Sequence, residues 1–226
     1  GLVRDRPTVV TFHGSDLLGE QLADRVRKAI AAYGVMSSQR AARRARGIVV
    51  VAGALRRKLP PAIASGSYVR VIPCGIDLDQ FSPMQQSECR QKLNWRGDQF
   101  HVLINWSPDP VRRPALAKAA VARLGSMGVP AELHELRGVR NDQVPLWLNA
   151  SDALLLTSLH EGSPTIVKEA LACDLPVVSV DVGDVRERIH GIDGCYLASD
   201  DPEDLAAKLR IVQERGRRLT ARDKIA

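Results

Sequence analysis

Two apolar rhythms run along the chain. Short runs carrying Val, Ile and Leu fall at 8–12, 48–51, 69–72, 101–105, 131–136, 153–157, 176–180 and 195–197. Bounded by Gly, Pro or charged residues, runs of that length predict buried strands. Between them, apolar positions recur at helical spacing over 20–46, 54–59, 114–127, 144–149, 164–173 and 201–215. Gly34 and the pair Ser37 and Ser38 predict a break inside the first of these helices. After the strand at 69–72, Pro73 and Gly75 stop the pattern, and Pro83 with polar residues 85–87 predicts a linker over 83–98. The linker would separate a partial first domain, 1–82, from a second domain, 99–226. From residue 101 onward strands and helices alternate, which predicts right-handed βαβ units in a doubly wound α/β fold.

The densest part of the pattern is LLLTSLHEGSPTIVKEALACDLPVVSVDV, residues 154–182. Gly162 permits a sharp turn, Ser163 is a good N-cap, and Pro164 suits the first helical position, where its missing N–H costs nothing. The N–H groups of Thr165, Ile166 and Val167 would then point out of a positive helix end, a seat for a phosphate. Glu161 and Glu169 flank that seat. A phosphate needs no acids beside it, whereas ribose and sugar hydroxyls donate to carboxylates. The plainer reading makes Glu161 a surface residue and Glu169 an ordinary helix former.

The spacing Glu161-x7-Glu169 inside HEGSPTIVKEALACDLPVV resembles the signature of retaining glycosyltransferases of the family 4 type, which have the GT-B fold of two Rossmann-like domains. The resemblance implies that Glu169 holds the ribose of a nucleoside-diphosphate sugar, that Glu161 lies near the donor sugar, and that the helix start takes the diphosphate. FHGSD matches the place where this family carries a His facing the cleft, so His13 becomes a candidate contact to the donor sugar or its phosphate. An Arg and a Lys after the first strand of the second domain usually clamp the diphosphate. Here Asn105 and Trp106 follow that strand, and Arg112 or Arg113 replaces the Lys; the sequence does not choose between them. VIPCGIDLDQFSP also resembles the family, with Cys74 where Asn is usual. The resemblance further implies a piece of a longer fold, with only the last three strands of the first domain, no glycine-rich opening loop, and a final helix cut short after Ala226.

Composition agrees with this picture. Aromatic residues make up only 4% of 226 residues against 45% apolar, so the core must be Val, Ile, Leu and Ala. The formal net charge of +6 favours anionic ligands, without the clustered aromatics of a nucleic-acid binder. Cys74, Cys89, Cys173 and Cys195 are widely spaced and read as reduced thiols, and no run is long enough to span a membrane. A cytoplasmic place follows, and Arg40, Arg43, Arg44 and Arg46, with Arg56, Arg57 and Lys58, are candidates for contact with anionic lipid at the inner membrane face or with an acidic acceptor, although such a run is also an ordinary solvated helix face. No required metal is expected, and no cofactor beyond the donor itself. The acceptor would be a sugar, a lipid-linked group or a small molecule. Binding without transfer, or epimerisation of a nucleotide sugar, are the alternatives the same residues allow.

Overall fold

The computed structural model describes residues 7–19, 25–66 and 68–224. They divide into two compact units, Gly1–Cys74 with His160–Ser163, and Gly75–Leu159 with Pro164–Ala226.

The first unit holds three parallel strands, β1 (Val9–Phe12), β2 (Gly47–Val50) and β3 (Val69–Val71), in the order β1-β2-β3. Helices α1 (Ser15–Leu18), α2 (Arg25–Arg44), α3 (Gly53–Arg56) and α4 (Pro61–Ala64) accompany them. Phe12, Leu17, Ala42, Ile48, Val50, Leu55, Ile63 and Val69 form the core. Two expectations change here. β1 is not buried along its length: among the described residues it pairs with β2 alone and lies at the edge of the sheet, and only Phe12 of its four residues is buried while Val9 stays 66% exposed. The break predicted near Gly34, Ser37 and Ser38 does not occur, and α2 runs through them unbroken. Gly34 lies in open space, and an interior Gly or Ser costs at most about 1 kcal/mol against Ala, too little to end a helix. The predicted start of that helix, 20–24, lies outside the described residues.

The second unit opens with α5 (Gln86–Leu93) and continues β4 (Phe100–Ile104), α6 (Pro114–Ser126), β5 (Ala131–Glu135), α7 (Val144–Ala150), β6 (Ala153–Leu156), α8 (Thr165–Ala172), β7 (Val177–Val180), α9 (Val185–Ile189), β8 (Tyr196–Ala198) and α10 (Pro202–Arg215). Its five strands are all parallel, in the order β5-β4-β6-β7-β8. Alternate residues feed two cores. Leu103, Leu154, Leu156 and Val177 meet α7, α8 and α9 on one face, while Val102, Ile104, Leu155, Val178 and Val180 meet α6 and α10 on the other. That double coverage is why β4, β6 and β7 read as unbroken apolar runs.

Where a linker is predicted over 83–98, the structure has α5, packed inside the second unit. Its anchors are polar: Arg90 donates to the Ala150 carbonyl at 2.9 Å and to Asp152 at 2.7 Å, and Gln86 donates to the Ser151 carbonyl. Cys89 is its one buried side chain, so no helical apolar period announces it. After β7 the chain turns at Gly183, held at φ 59°, and forms α9 over the buried Val185 and Ile189. The last helix is as predicted, with Asp201 accepting from the Glu203 N–H at 3.0 Å and Gly216 ending it at positive φ. The strand order reverses between β4 and β6, and doubly wound sheets bind ligands in the crevice beyond the carboxyl ends of two such strands.

Candidate functional site

Two loops leave that switch point, 105–113 after β4 and 157–164 after β6. They are latched together. The Leu159 N–H donates to the Val111 carbonyl at 2.8 Å, and the Thr157 hydroxyl donates to the Arg112 carbonyl at 2.9 Å. Asp109 accepts from the Val111 N–H at 3.0 Å, which starts a single 3-10 turn ending at Arg113, held at φ 48°. The two arginines then separate. Arg113 donates through Nε to the Thr157 carbonyl at 2.6 Å and forks onto both oxygens of Asp200 at 2.7 and 2.8 Å. It thereby joins the loops that follow β4, β6 and β8, and its fork holds the Asp200 carboxyl below the usual range. Arg112 instead reaches the Ser158 hydroxyl at 3.4 Å. Burial depresses its pKa more than the attraction of Asp109 raises it, so the charge is poorly solvated.

At the start of α8 the residue roles shift by one. Pro164, not Ser163, occupies the N-cap, with φ −67° and ψ 109° and no side-chain cap bond, so Ser163 stands outside the helix. The Val167 N–H is used, donating to the Pro164 carbonyl at 3.2 Å, which leaves Thr165 and Ile166 as the first-turn donors without an intrahelical acceptor. Ile166, Val167, Ala170 and Leu171 bury one face of α8. Glu169 lies on the partly exposed side, and its carboxyl is pushed up by burial, against the opposing pull of Lys168 and a hydrogen bond from Thr165.

The remaining predicted site residues belong to the first unit. His13 is exposed at the end of β1, its N–H donating to Asp16 at 2.9 Å, with the Cys74 Sγ 3.7 Å from its Nδ1. Asp16 therefore ties down the turn after β1, accepting from the Gly14 N–H as well. Glu161 and Ser163 are partly exposed there and Gly162 is buried. The structure thus gathers Arg112, Arg113, Pro164, Thr165, Ile166 and Glu169 in the second unit, and His13, Glu161, Gly162 and Ser163 in the first.

Several participants escaped the sequence. Thr157, Ser158 and Asp200 build the latch, yet nothing local marks an Asp that pairs with an Arg 87 positions away. Arg137, after β5, lies 4.4 Å over the ring of Trp106, so a cation does reach the corner where Trp106 replaces the expected Arg. His101, Glu132 and His134 also converge, for which Glu-x-His on one strand was the available signal.

A family model described as "Glycosyl transferases group 1" matches residues 99–214, and one for "Glycosyltransferase Family 4" matches 1–80. The chain belongs to the group 1 glycosyltransferases. Among relatives of this group 1 chain, a D-inositol 3-phosphate glycosyltransferase of Geodermatophilus obscurus is 26% identical over 186 residues, covering 67% of this chain and 41% of that protein. The Bacillus subtilis protein TuaC, named for teichuronic acid biosynthesis, is 30% identical, covering 79% and 48%. The chain therefore spans under half the length of either relative. Among solved structures, a sucrose-phosphate synthase from Thermosynechococcus elongatus superposes with a TM-score of 0.75 at 18% identity over 91% of this chain and 58% of that one. Anabaena HepE, solved with UDP-glucose, superposes at 0.72 with 20% identity over 93% and 64%. At such identities these two establish the GT-B type of fold for the group 1 chain.

Proposed function

We propose that this chain binds the donor of a retaining glycosyltransferase, a nucleoside-diphosphate sugar whose sugar passes to an acceptor hydroxyl. What supports the reading is that Arg112, on the loop after β4, reaches Ser158 on the loop that leads from β6 to the first turn of α8, with Glu169 partly buried about one turn inside that helix. Glu169 accepts from the ribose hydroxyls. The N–H groups of Thr165 and Ile166, with Arg112, take the diphosphate and stabilise the charge that grows on it as it leaves. Arg113 holds the loops that present them, and Gly162, Ser163 and Pro164 shape the approach to the helix. By the family resemblance, His13 and Glu161 contact the donor sugar, and the acceptor hydroxyl attacks on the face from which the diphosphate departs. The UDP-glucose complex of HepE supports a uridine donor as the first to try.

Titration calorimetry with free nucleoside diphosphates, and a transfer assay on the same sample, test the reading. Glu169→Ala is expected to weaken binding by roughly 1.5–3 kcal/mol, about tenfold to a hundredfold. Unchanged affinity in the folded variant removes the ribose role. Binding with transfer supports the full reading, and binding without it restricts the chain to donor capture.

The reading extends to location. Among the described residues no helix is long and apolar enough to cross a membrane. Ile30, Tyr33 and Met36 are nonetheless 65%, 62% and 46% exposed on α2, followed by the exposed Arg40, Arg43 and Arg44. That combination supports peripheral contact of a cytoplasmic enzyme with anionic lipid. Co-flotation with phosphatidylserine vesicles but not phosphatidylcholine vesicles is expected, and equal behaviour with both rules it out.

A further inference from the structure

A second constellation lies in β4 and β5. The register sets His101 beside Glu132 and Leu103 beside His134, so the side chains of His101, Glu132 and His134 rise from one face of the sheet. The His101 Nδ1 lies 2.8 Å from the His134 Nε2, and each of these nitrogens is 3.9 Å from the same Oε2 of Glu132. His101 is wholly buried and His134 is 9% exposed, while Glu132 opens to solvent.

Both rings are held from outside the trio. The His101 Nε2 donates to the Arg96 carbonyl at 2.6 Å, which leaves Nδ1 with its lone pair facing the other two groups. The His101 N–H donates to Asp152, and Trp95 stacks flat on His134 with centroids 3.5 Å apart. A backbone carbonyl fixing the far nitrogen of an imidazole is the arrangement that orients metal-binding histidines.

We propose that His101 Nδ1, His134 Nε2 and Glu132 Oε2 form a site for a divalent transition-metal ion, zinc foremost, with water completing its shell. A triangle with sides of 2.8, 3.9 and 3.9 Å has a point about 2.1 Å from every corner, which is the length of Zn–N and Zn–O bonds. Two imidazoles and one carboxylate suit zinc, copper or nickel, whereas calcium and magnesium prefer all-oxygen shells. When the ion binds, His134 carries its proton on Nδ1, and the hydrogen bond between the two rings is exchanged for two metal bonds. None of the donor-site residues is a ligand, so the ion ties β4 to β5 and takes no part in transfer.

The test uses the full chain, stripped with chelator and titrated with zinc chloride by calorimetry, with cobalt absorption and quenching of tryptophan fluorescence by copper as parallel readings. Trp95, stacked on a ligand, reports an ion that seats there. Saturable binding of one ion is expected, weakened roughly tenfold or more by Glu132→Gln and lost in His134→Gln, while Cys74→Ser leaves it intact. Glu132 is solvent-exposed, so Glu132→Gln keeps the test decisive even if His134→Gln fails to fold. No saturable binding of zinc, cobalt or copper overturns the proposal, as does binding that both variants leave unchanged or that Cys74→Ser abolishes.

Discussion

Glu169 is held in a place that does not suit its charge. Burial raises its pKa above the ordinary value despite Lys168 and Thr165. A carboxyl raised in the folded state contributes stability that is present below its unfolded pKa and is lost as pH rises through the folded value. Glu169→Gln is therefore expected to be more stable than the parent near neutrality, by about 0.5–2 kcal/mol, with the difference vanishing in acid. The same variant should bind nucleoside diphosphate more weakly. Melting temperatures of both proteins across pH check the first part; a gap that does not close in acid would remove the carboxylate as its cause. Cys173 makes a parallel case, its thiol pushed up to about 12 by burial, with Cys89 raised as well. At mild alkaline pH a disulfide reagent should label Cys74 and Cys195 in the folded protein and reach Cys89 and Cys173 only in denaturant. At this scale residue types and spacing single out Glu169 as a candidate, but that Arg113 forks onto Asp200 could not be read locally, because Asp200 lies far away in the chain.

Among elements, the latched loops assign the two arginines different consequences. Arg112→Ala should weaken diphosphate binding more than nucleoside binding, because only the former carries the charge it meets, and should flatten the salt dependence. Arg113→Ala removes the fork on Asp200 and the tie to Thr157, so both ligands should weaken alike and stability should fall by about 1–3 kcal/mol. Calorimetry with both ligands, beside a denaturant titration, separates the two; identical profiles would deny the division of labour. The alternating elements of the second unit were readable because β4, β6 and β7 are buried on both faces and their helices carry apolar stripes. α5 was not, since carbonyls and Asp152 hold it in place of apolar contacts. The start of α8 was legible to within one residue, the difference being whether Pro164 caps or follows the cap.

For the molecule as a whole, α8 is fixed at both ends. Before it, Leu159 and Thr157 bond to the loop after β4. Behind it, Asp174 turns the chain at φ 55° and accepts from the Ala221 N–H at 2.8 Å, while Arg218 donates to the Cys173 carbonyl at 2.6 Å and Arg222 to that of Ala172. A helix held in this way should need little ordering when a ligand arrives. Its signature belongs to kinetics: in stopped-flow mixing, the observed rate of nucleoside-diphosphate association should climb linearly with ligand concentration, in a single phase, and slow as salt screens the encounter. A plateau in that rate would reveal a slow rearrangement, and with it a second conformation of the helix start.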